Sequence, residues 1–137
     1  MPSMEQCLAE MQAMPFLSGY WDAALAAFYR ADVEPQSDGS VRVRISPQVI
    51  QQVTQEGQSI DWNARRAAPR QPALLVHACG GYGPPGTPAL ILEAQAREAA
   101  ALLPNAKFVQ VPGNHMTMLF GEHAERLVSE LAAFISE

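Results

Sequence analysis

Apolar residues at helical spacing fill the start of the chain. Ser3 followed by Gln6 has the pattern of a capping box, which predicts that a helix begins there. The apolar residues that follow lie three or four positions apart, as one helix face requires: Met4, Cys7, Leu8, Met11 and Met14. We expect Pro15 to end this helix, because proline has no backbone N–H to donate.

A second helix is predicted over 19–31. Its apolar stripe, which we assign to core packing, contains Trp21, Leu25 and Phe28. Residues 32–40 are polar and include an Asp-Gly pair, so we predict a loop. Residues 41–45 (VRVRI) alternate with period two, which predicts a short strand whose arginines face solvent. Ser46-Pro47 then has the signature of a helix start, and the apolar face of that helix contains Val49, Ile50 and Val53.

The second half of the chain has the pattern strand–helix–strand–helix. Residues 73–78 (ALLVHA) are almost continuously apolar, which is typical of a strand buried on both faces of a parallel sheet. A long helix is predicted to open at Thr87-Pro88, followed by a strand over 107–111 and a helix over about 121–136. Strands joined by a crossover helix are parallel, so we predict an α/β fold.

Two helix faces in this half are predicted to be buried. The face of the first helix contains Ala89, Leu92, Ala96, Ala99, Ala100 and Leu103. The face of the last helix contains Ala124, Leu127, Val128, Leu131, Phe134 and Ile135. Glu93 and Arg97 are predicted to form an ion pair on the exposed side of the first helix.

Composition and charge narrow the classes of function. The chain has 137 residues, which suits a small globular protein, and its net charge of −5 comes without a basic cluster, so we expect no nucleic-acid partner. No apolar run approaches the roughly 20 residues that cross a bilayer, and we expect no membrane partner. The N-terminus has no signal-peptide pattern, and Cys7 and Cys79 are too few for a disulfide framework. We therefore expect a cytoplasmic protein.

The stretch PALLVHA…ALLPNAKFVQVPGNH…HAERLVSELAAFI resembles the last two core strands and helices of the α/β-hydrolase family. LPNAKFVQVPGNH carries most of the likeness, and His115 falls where that family's final loop presents the triad histidine. Residues 1–68 more loosely resemble the helical cap that many members carry. The resemblance implies a partial α/β-hydrolase fold: a cap-like region over 1–68, and a short parallel sheet with flanking helices over 69–137.

The same resemblance implies an esterase-like serine hydrolase that acts on a small-molecule ester or related acyl substrate. His115 would take the proton of a serine nucleophile and return it to the leaving group. The cap residues Trp21, Phe28 and Tyr29 would line the acyl pocket. The resemblance implies no cofactor and no metal.

Most of the catalytic set is missing from the sequence. A hydrolase of this class needs a G-x-S-x-G turn for its nucleophile, but Ser18 lies in FLSGY and Ser40 in DGSVR. The loop 79–88 (CGGYGPPGTP), where the acid often lies, has no Asp or Glu. In some members the acid lies after an earlier strand. We therefore expect a truncated enzyme that is inactive alone.

Two other functions stay open. One is a non-enzymatic interaction or structural module derived from a hydrolase. The other is a dienelactone-hydrolase-like enzyme in which Cys79 is the nucleophile and His115 its base; against it, residues 82–85 separate Cys79 from the next helix, whereas a nucleophile elbow runs straight into one. The remaining histidines, His77 and His123, give no recognised zinc spacing with these two residues, and we expect His123 to be exposed.

The strand 73–78 also bears on assembly. It would be an interior strand in a complete hydrolase, yet it has one predicted neighbour here. It contains neither the charges nor the interior proline that usually protect a sheet edge. We expect the chain to associate through this edge, as a homodimer or with a complementary N-terminal half.

Overall fold

The computed structural model describes residues 3–136. The chain divides into two compact units, Met1–Asp61 and Trp62–Glu137. Each unit contains its own two-stranded sheet. The sequence predicts a cap-like region over 1–68 and a region like the hydrolase core over 69–137. This assignment of the two regions stays a prediction.

Two capped helices open the first unit. In α1 (Met4–Gln12) the Ser3 hydroxyl accepts a hydrogen bond from Gln6 N at 3.3 Å, which confirms the predicted helix start. In α2 (Ala23–Ala31) the Asp22 carboxylate accepts from Leu25 N at 2.8 Å. Leu25 is fully buried but Phe28 is 43% exposed, so the predicted core stripe is correct at Leu25 and wrong at Phe28.

A hairpin follows α2. β1 (Val33–Pro35) pairs antiparallel with β2 (Val41–Val43), so the prediction of a loop over 32–40 is wrong for β1. β1 has only three residues, one of them proline, so its own sequence does not indicate a strand. It is a strand because it pairs with β2. The arginines on and after β2 are exposed as predicted, and both contact Glu34 at 3.1 Å.

The helix α3 (Pro47–Gln58) begins where predicted, because the Ser46 hydroxyl accepts from Val49 N at 3.3 Å. Its predicted apolar face is exposed, however. Val49, Ile50 and Val53 are each more than half exposed.

The second unit begins with the short helix α4 (Trp62–Ala67). It continues through β3 (Ala73–Ala78), α5 (Glu93–Ala101), β4 (Ala106–Val111) and α6 (Gly121–Ile135). β3 and β4 are parallel and in register from Ala73 opposite Ala106 to Ala78 opposite Val111. This small parallel sheet with its helices confirms the predicted α/β class.

The helix α5 begins six residues later than the predicted start at Thr87. Tyr82 N donates to Pro88 O, and the buried His77 ring is hydrogen-bonded to Ile91 O, so the preceding segment is held as a loop. Ala96 is buried as predicted, whereas Leu92 is 49% exposed because it lies outside the helix.

Predictions for α6 fail in two places. Its apolar residues Val128, Leu131 and Ile135 are exposed by 61%, 39% and 80%. The helix α6 packs on β4 and on the turn that precedes α6. Among the described residues the sheet has only two strands, which is too narrow to cover this face of α6. His123, expected to be exposed, is buried at 9% because it packs under the loop that follows β4.

Across residues 3–136, no helix has both the length and the apolar character needed to cross a membrane.

Candidate functional site

The loops that follow β3 and β4 approach each other closely. Gly80 N donates to Gly113 O at 2.7 Å. A Cβ placed on Gly80 would lie 2.7 Å from the Gly113 carbonyl, so the two backbones meet where no side chain fits. Gly113 itself has φ +80°, and a Cβ there would lie 2.6 Å from Nδ1 of His123. The pair of glycines therefore fixes the loop that leads into His115.

Two buried polar side chains shape the turn around His115. Asn114 N donates to the Thr117 hydroxyl at 2.8 Å, and the Asn114 side-chain oxygen accepts from Met116 N and Thr117 N at 3.0 Å each. Asn114 is 3% exposed and Thr117 is 1% exposed. This reciprocal bonding, which we call the Asn114–Thr117 clamp, holds the backbone on both sides of His115.

The His115 side chain lies on the surface of this turn. It is exposed, and its ring meets the Tyr82 ring edge-on at a centroid distance of 6.1 Å. Among residues 3–136, no carboxylate is hydrogen-bonded to it. The turn thus presents a histidine beyond the carboxyl end of a parallel strand, where catalytic groups of open α/β sheets gather.

His115 is one of the residues that line an open groove with a volume of about 910 Å³. Its walls come from β3, α4, α5, the loop before α5 and the turn that follows β4, all within the second unit. Most of the lining is aliphatic, including Leu75, Val76, Leu90, Ile91, Leu102 and Met118. Both the volume and the mixture of apolar walls with a few polar groups suit a site for a small molecule.

His77 anchors one wall of this groove. It is 6% exposed, with Ile91 O at 2.8 Å from Nε2 and the Gln110 amide nitrogen at 3.3 Å from Nδ1. A carbonyl only accepts and the amide nitrogen donates, so the ring carries its proton on Nε2 and accepts at Nδ1. Sequence analysis missed this role, because nothing near position 77 indicates a partner 14 residues further on.

A small charged network lies beside His77. Arg97 Nε donates to Glu93 at 2.7 Å, as the predicted ion pair requires, and the guanidinium lies 4.6 Å over the Phe108 ring. The hydrogen bond from Arg97 lowers the pKa of Glu93 below its ordinary value of 4.5, and a second one from Gln110 adds to this shift. Gln110 therefore contacts His77 and also contributes to the lowered pKa of Glu93.

The geometry does not favour Cys79 as a nucleophile. Its thiol is exposed and donates to Val111 O at 3.2 Å, which closes the end of the strand. No helix begins behind it, since α5 starts only at Glu93. Within the described part of the chain, no group of three or more His, Cys, Asp or Glu side chains is placed to hold a metal ion.

The predicted acyl-pocket aromatics cluster with one another. Trp21 stacks on Tyr29 at 5.8 Å, and Phe28 meets Tyr29 edge-on at 5.3 Å. They belong to the first unit, whereas the groove beside His115 is lined by the second. Their role as walls of an acyl pocket stays a prediction.

Comparisons with known proteins return no match: no family model, no curated protein and no solved structure corresponds to this chain. The resemblance to the α/β-hydrolase family therefore rests on the sequence motif around His115 and stays a prediction.

The contact between the two loops predicts a graded effect of alanine. Gly113→Ala combines a positive φ with a steric collision, and we expect it to lower the free energy of unfolding by at least ~2 kcal/mol. Gly86 also has a positive φ, +88°, but nothing lies within 4 Å of an added Cβ, so Gly86→Ala should cost only about 1 kcal/mol. Urea denaturation measures both. Equal losses would mean that the collision at Gly113 is relieved without cost.

The network predicts the titration of Glu93. Because its pKa is lowered, the interaction with Arg97 is present above pH 4.5 and is lost as the pH falls through the lowered value. In Arg97→Gln the midpoint should rise toward 4.5, as followed by the side-chain carboxyl ¹³C shift. Arg126→Gln, which removes the partner of Glu130 instead, is the matched control and should leave Glu93 unchanged.

Proposed function

We propose that the chain is the cap-like and carboxyl-terminal part of an esterase-like serine α/β-hydrolase, with His115 as its general base. One observation supports this most directly: an exposed histidine on a rigidly held turn, just past the carboxyl end of β4 and beside an apolar groove. The turn is held by its own backbone and by Asn114 and Thr117, so the imidazole is left available for a reacting group.

In the proposed reaction, His115 accepts the proton of a serine hydroxyl as that oxygen attacks the ester carbonyl. It then returns the proton to the departing alcohol, and repeats both transfers with water to release the acid. The acyl chain would lie along the aliphatic walls formed by Leu75, Ile91 and Leu102. The serine and the orienting acid would come from another polypeptide segment, in the arrangement that an N-terminal half of the fold would supply.

The cysteines fit a cytoplasmic location for such an enzyme. Cys7 is a buried free thiol and Cys79 an exposed one, and free thiols persist in reducing compartments.

We expect the isolated chain to be catalytically inert. No serine of the sequence has the nucleophile-elbow pattern, so p-nitrophenyl butyrate hydrolysis should not exceed the buffer rate. A serine-directed fluorophosphonate should likewise leave the intact mass unchanged. Stoichiometric labelling of a single serine would contradict the proposed division of the catalytic residues.

Binding of an ester tests the proposal itself. We expect methyl octanoate to shift the ring signals of His115 and the methyl signals of Leu75 and Ile91 together, because the carbonyl would lie at the histidine and the chain along the groove. Two-dimensional NMR measures this, and the three histidines of the chain keep the ring spectrum simple.

Octyl methyl ether, of similar length but without a carbonyl, is the matched control. It should shift the groove methyl signals and leave the His115 ring signals nearly in place. Equal ring shifts with both ligands, or ring shifts without methyl shifts, would contradict the proposed role of His115.

A non-enzymatic interaction module is the second candidate, and a specific observation favours it. Three apolar residues of α3 and three of α6 are exposed: Val49, Ile50, Val53, Val128, Leu131 and Ile135. Large exposed apolar patches mark sites of interaction with partner proteins. If the ester leaves His115 unaffected, this second function is the better account of the chain.

A further inference from the structure

One edge of β3 presents unpaired backbone groups in a regular array. Ala73 N donates to Asn105 O and Cys79 N donates to Val111 O, so these odd-numbered positions face β4. In a parallel ladder, alternate residues bond to the same neighbour, so positions 75 and 77 also face β4. Leu74, Val76 and Ala78 therefore direct their N–H and C=O groups away from it.

This edge is open. Among the described residues, β3 pairs only with β4, and the sheet has two strands. Four consecutive residues from Leu75 to Ala78 line the groove, although successive side chains of a strand point to opposite faces, so the groove runs along the edge. β3 has no charged residue, proline or bulge, the devices that usually prevent pairing at an edge.

We propose that two copies of the chain pair through this edge, antiparallel about a two-fold axis at Val76. The product is a four-stranded sheet in the order β4–β3–β3–β4. This inference does not rest on the hydrolase proposal: the second copy would lie against the groove in the place that an N-terminal half would take, so the dimer and the completed enzyme are alternative assemblies.

The hydrogen-bonding pattern of the edge favours a second copy as its occupant. The three outward-facing residues lie symmetrically about Val76, so the two-fold axis places Val76 opposite Val76 and Leu74 opposite Ala78. Each of these pairs exchanges both of its hydrogen bonds in an antiparallel ladder. Every outward N–H and C=O group of Leu74, Val76 and Ala78 then has a partner, with no overhang at either end.

Charge and apolar surface also fit a second copy. Because β3 carries no Asp, Glu, Lys or Arg, its two-fold mate places no like charges opposite each other. Stable interfaces bury about 1,200–2,000 Å² in total, which is more than six-residue strands provide, so flanking apolar residues must contribute. Leu90, Ile91 and Leu102 line the same groove and are 54%, 54% and 37% exposed.

Site-directed cross-linking tests both the dimer and its register, in the full chain with Cys79→Ser to remove the exposed thiol. Opposed residues of a hydrogen-bonded antiparallel pair have Cα atoms about 5.5 Å apart, within the range of a disulfide. Val76→Cys should therefore form a covalent dimer under mild oxidation. Leu74→Cys is the matched control, because its two copies would lie about 14 Å apart along the paired strands.

Light scattering on the unsubstituted chain at tens of micromolar should give the mass of a dimer. Val76→Lys should give a monomer with an unchanged circular dichroism spectrum, and Val128→Lys on the exposed face of α6 should remain dimeric. The proposal is overturned by a monomeric unsubstituted chain, by equal cross-linking at positions 74 and 76, by none at 76, or by a dimer that survives Val76→Lys. Capture of a separate strand-forming polypeptide by a monomeric chain would assign the edge to a different partner.

Discussion

The parallel pairing of β3 with β4 is the interaction on which the rest of the second unit depends. It brings two carboxyl ends side by side, and the glycines that follow, Gly80 and Gly113, extend the contact beyond the sheet. The backbone of one loop then fixes the backbone of the other at a separation that excludes side chains. The turn that carries His115 and the burial of His123 both follow from this contact.

A second consequence of the pairing is that the sheet is narrow. Two strands cover little of the helices that pack on them, which is why α6 keeps exposed aliphatic residues along much of its length. The same narrowness leaves one side of β3 open. The exposed His115 and the open edge of β3 therefore lie beside the same groove, and whatever occupies the strand edge also borders that groove.

Local signals were sufficient to predict much of the fold. The run ALLVHA predicts β3 because it is apolar on both faces, and Ser3 and Ser46 predict helix starts because their hydroxyls cap backbone N–H groups within three residues. The position of His115 after β4 also follows from local pattern. These features depend on contacts between near neighbours in sequence, which a single chain reveals.

Features that depend on distant contacts were missed. β1 exists because β2 pairs with it, and α5 starts late because His77 binds Ile91 O across a loop. The sequence predicts that His123 is a surface residue in the first turn of α6. Its packing under Gly113 is what buries it. The burial of the apolar residues of α3 and α6 was wrongly predicted for a related reason. An amphipathic pattern shows that a helix has one apolar face, but it does not show that another part of the same chain packs on that face.

Within four residues, the Asn114–Thr117 clamp uses different side chains to hold the turn from the one that the turn exposes. Its hydrogen bonds use the side chains at 114 and 117 and the backbone between them, and none of them uses the side chain at 115. A substitution at 114 or 117 removes hydrogen bonds that shape the turn, whereas one at 115 removes only the exposed ring and its contact with Tyr82. The hydrogen bonds that support the loop are therefore independent of the side chain at position 115, and another side chain can stand there without any change in that support.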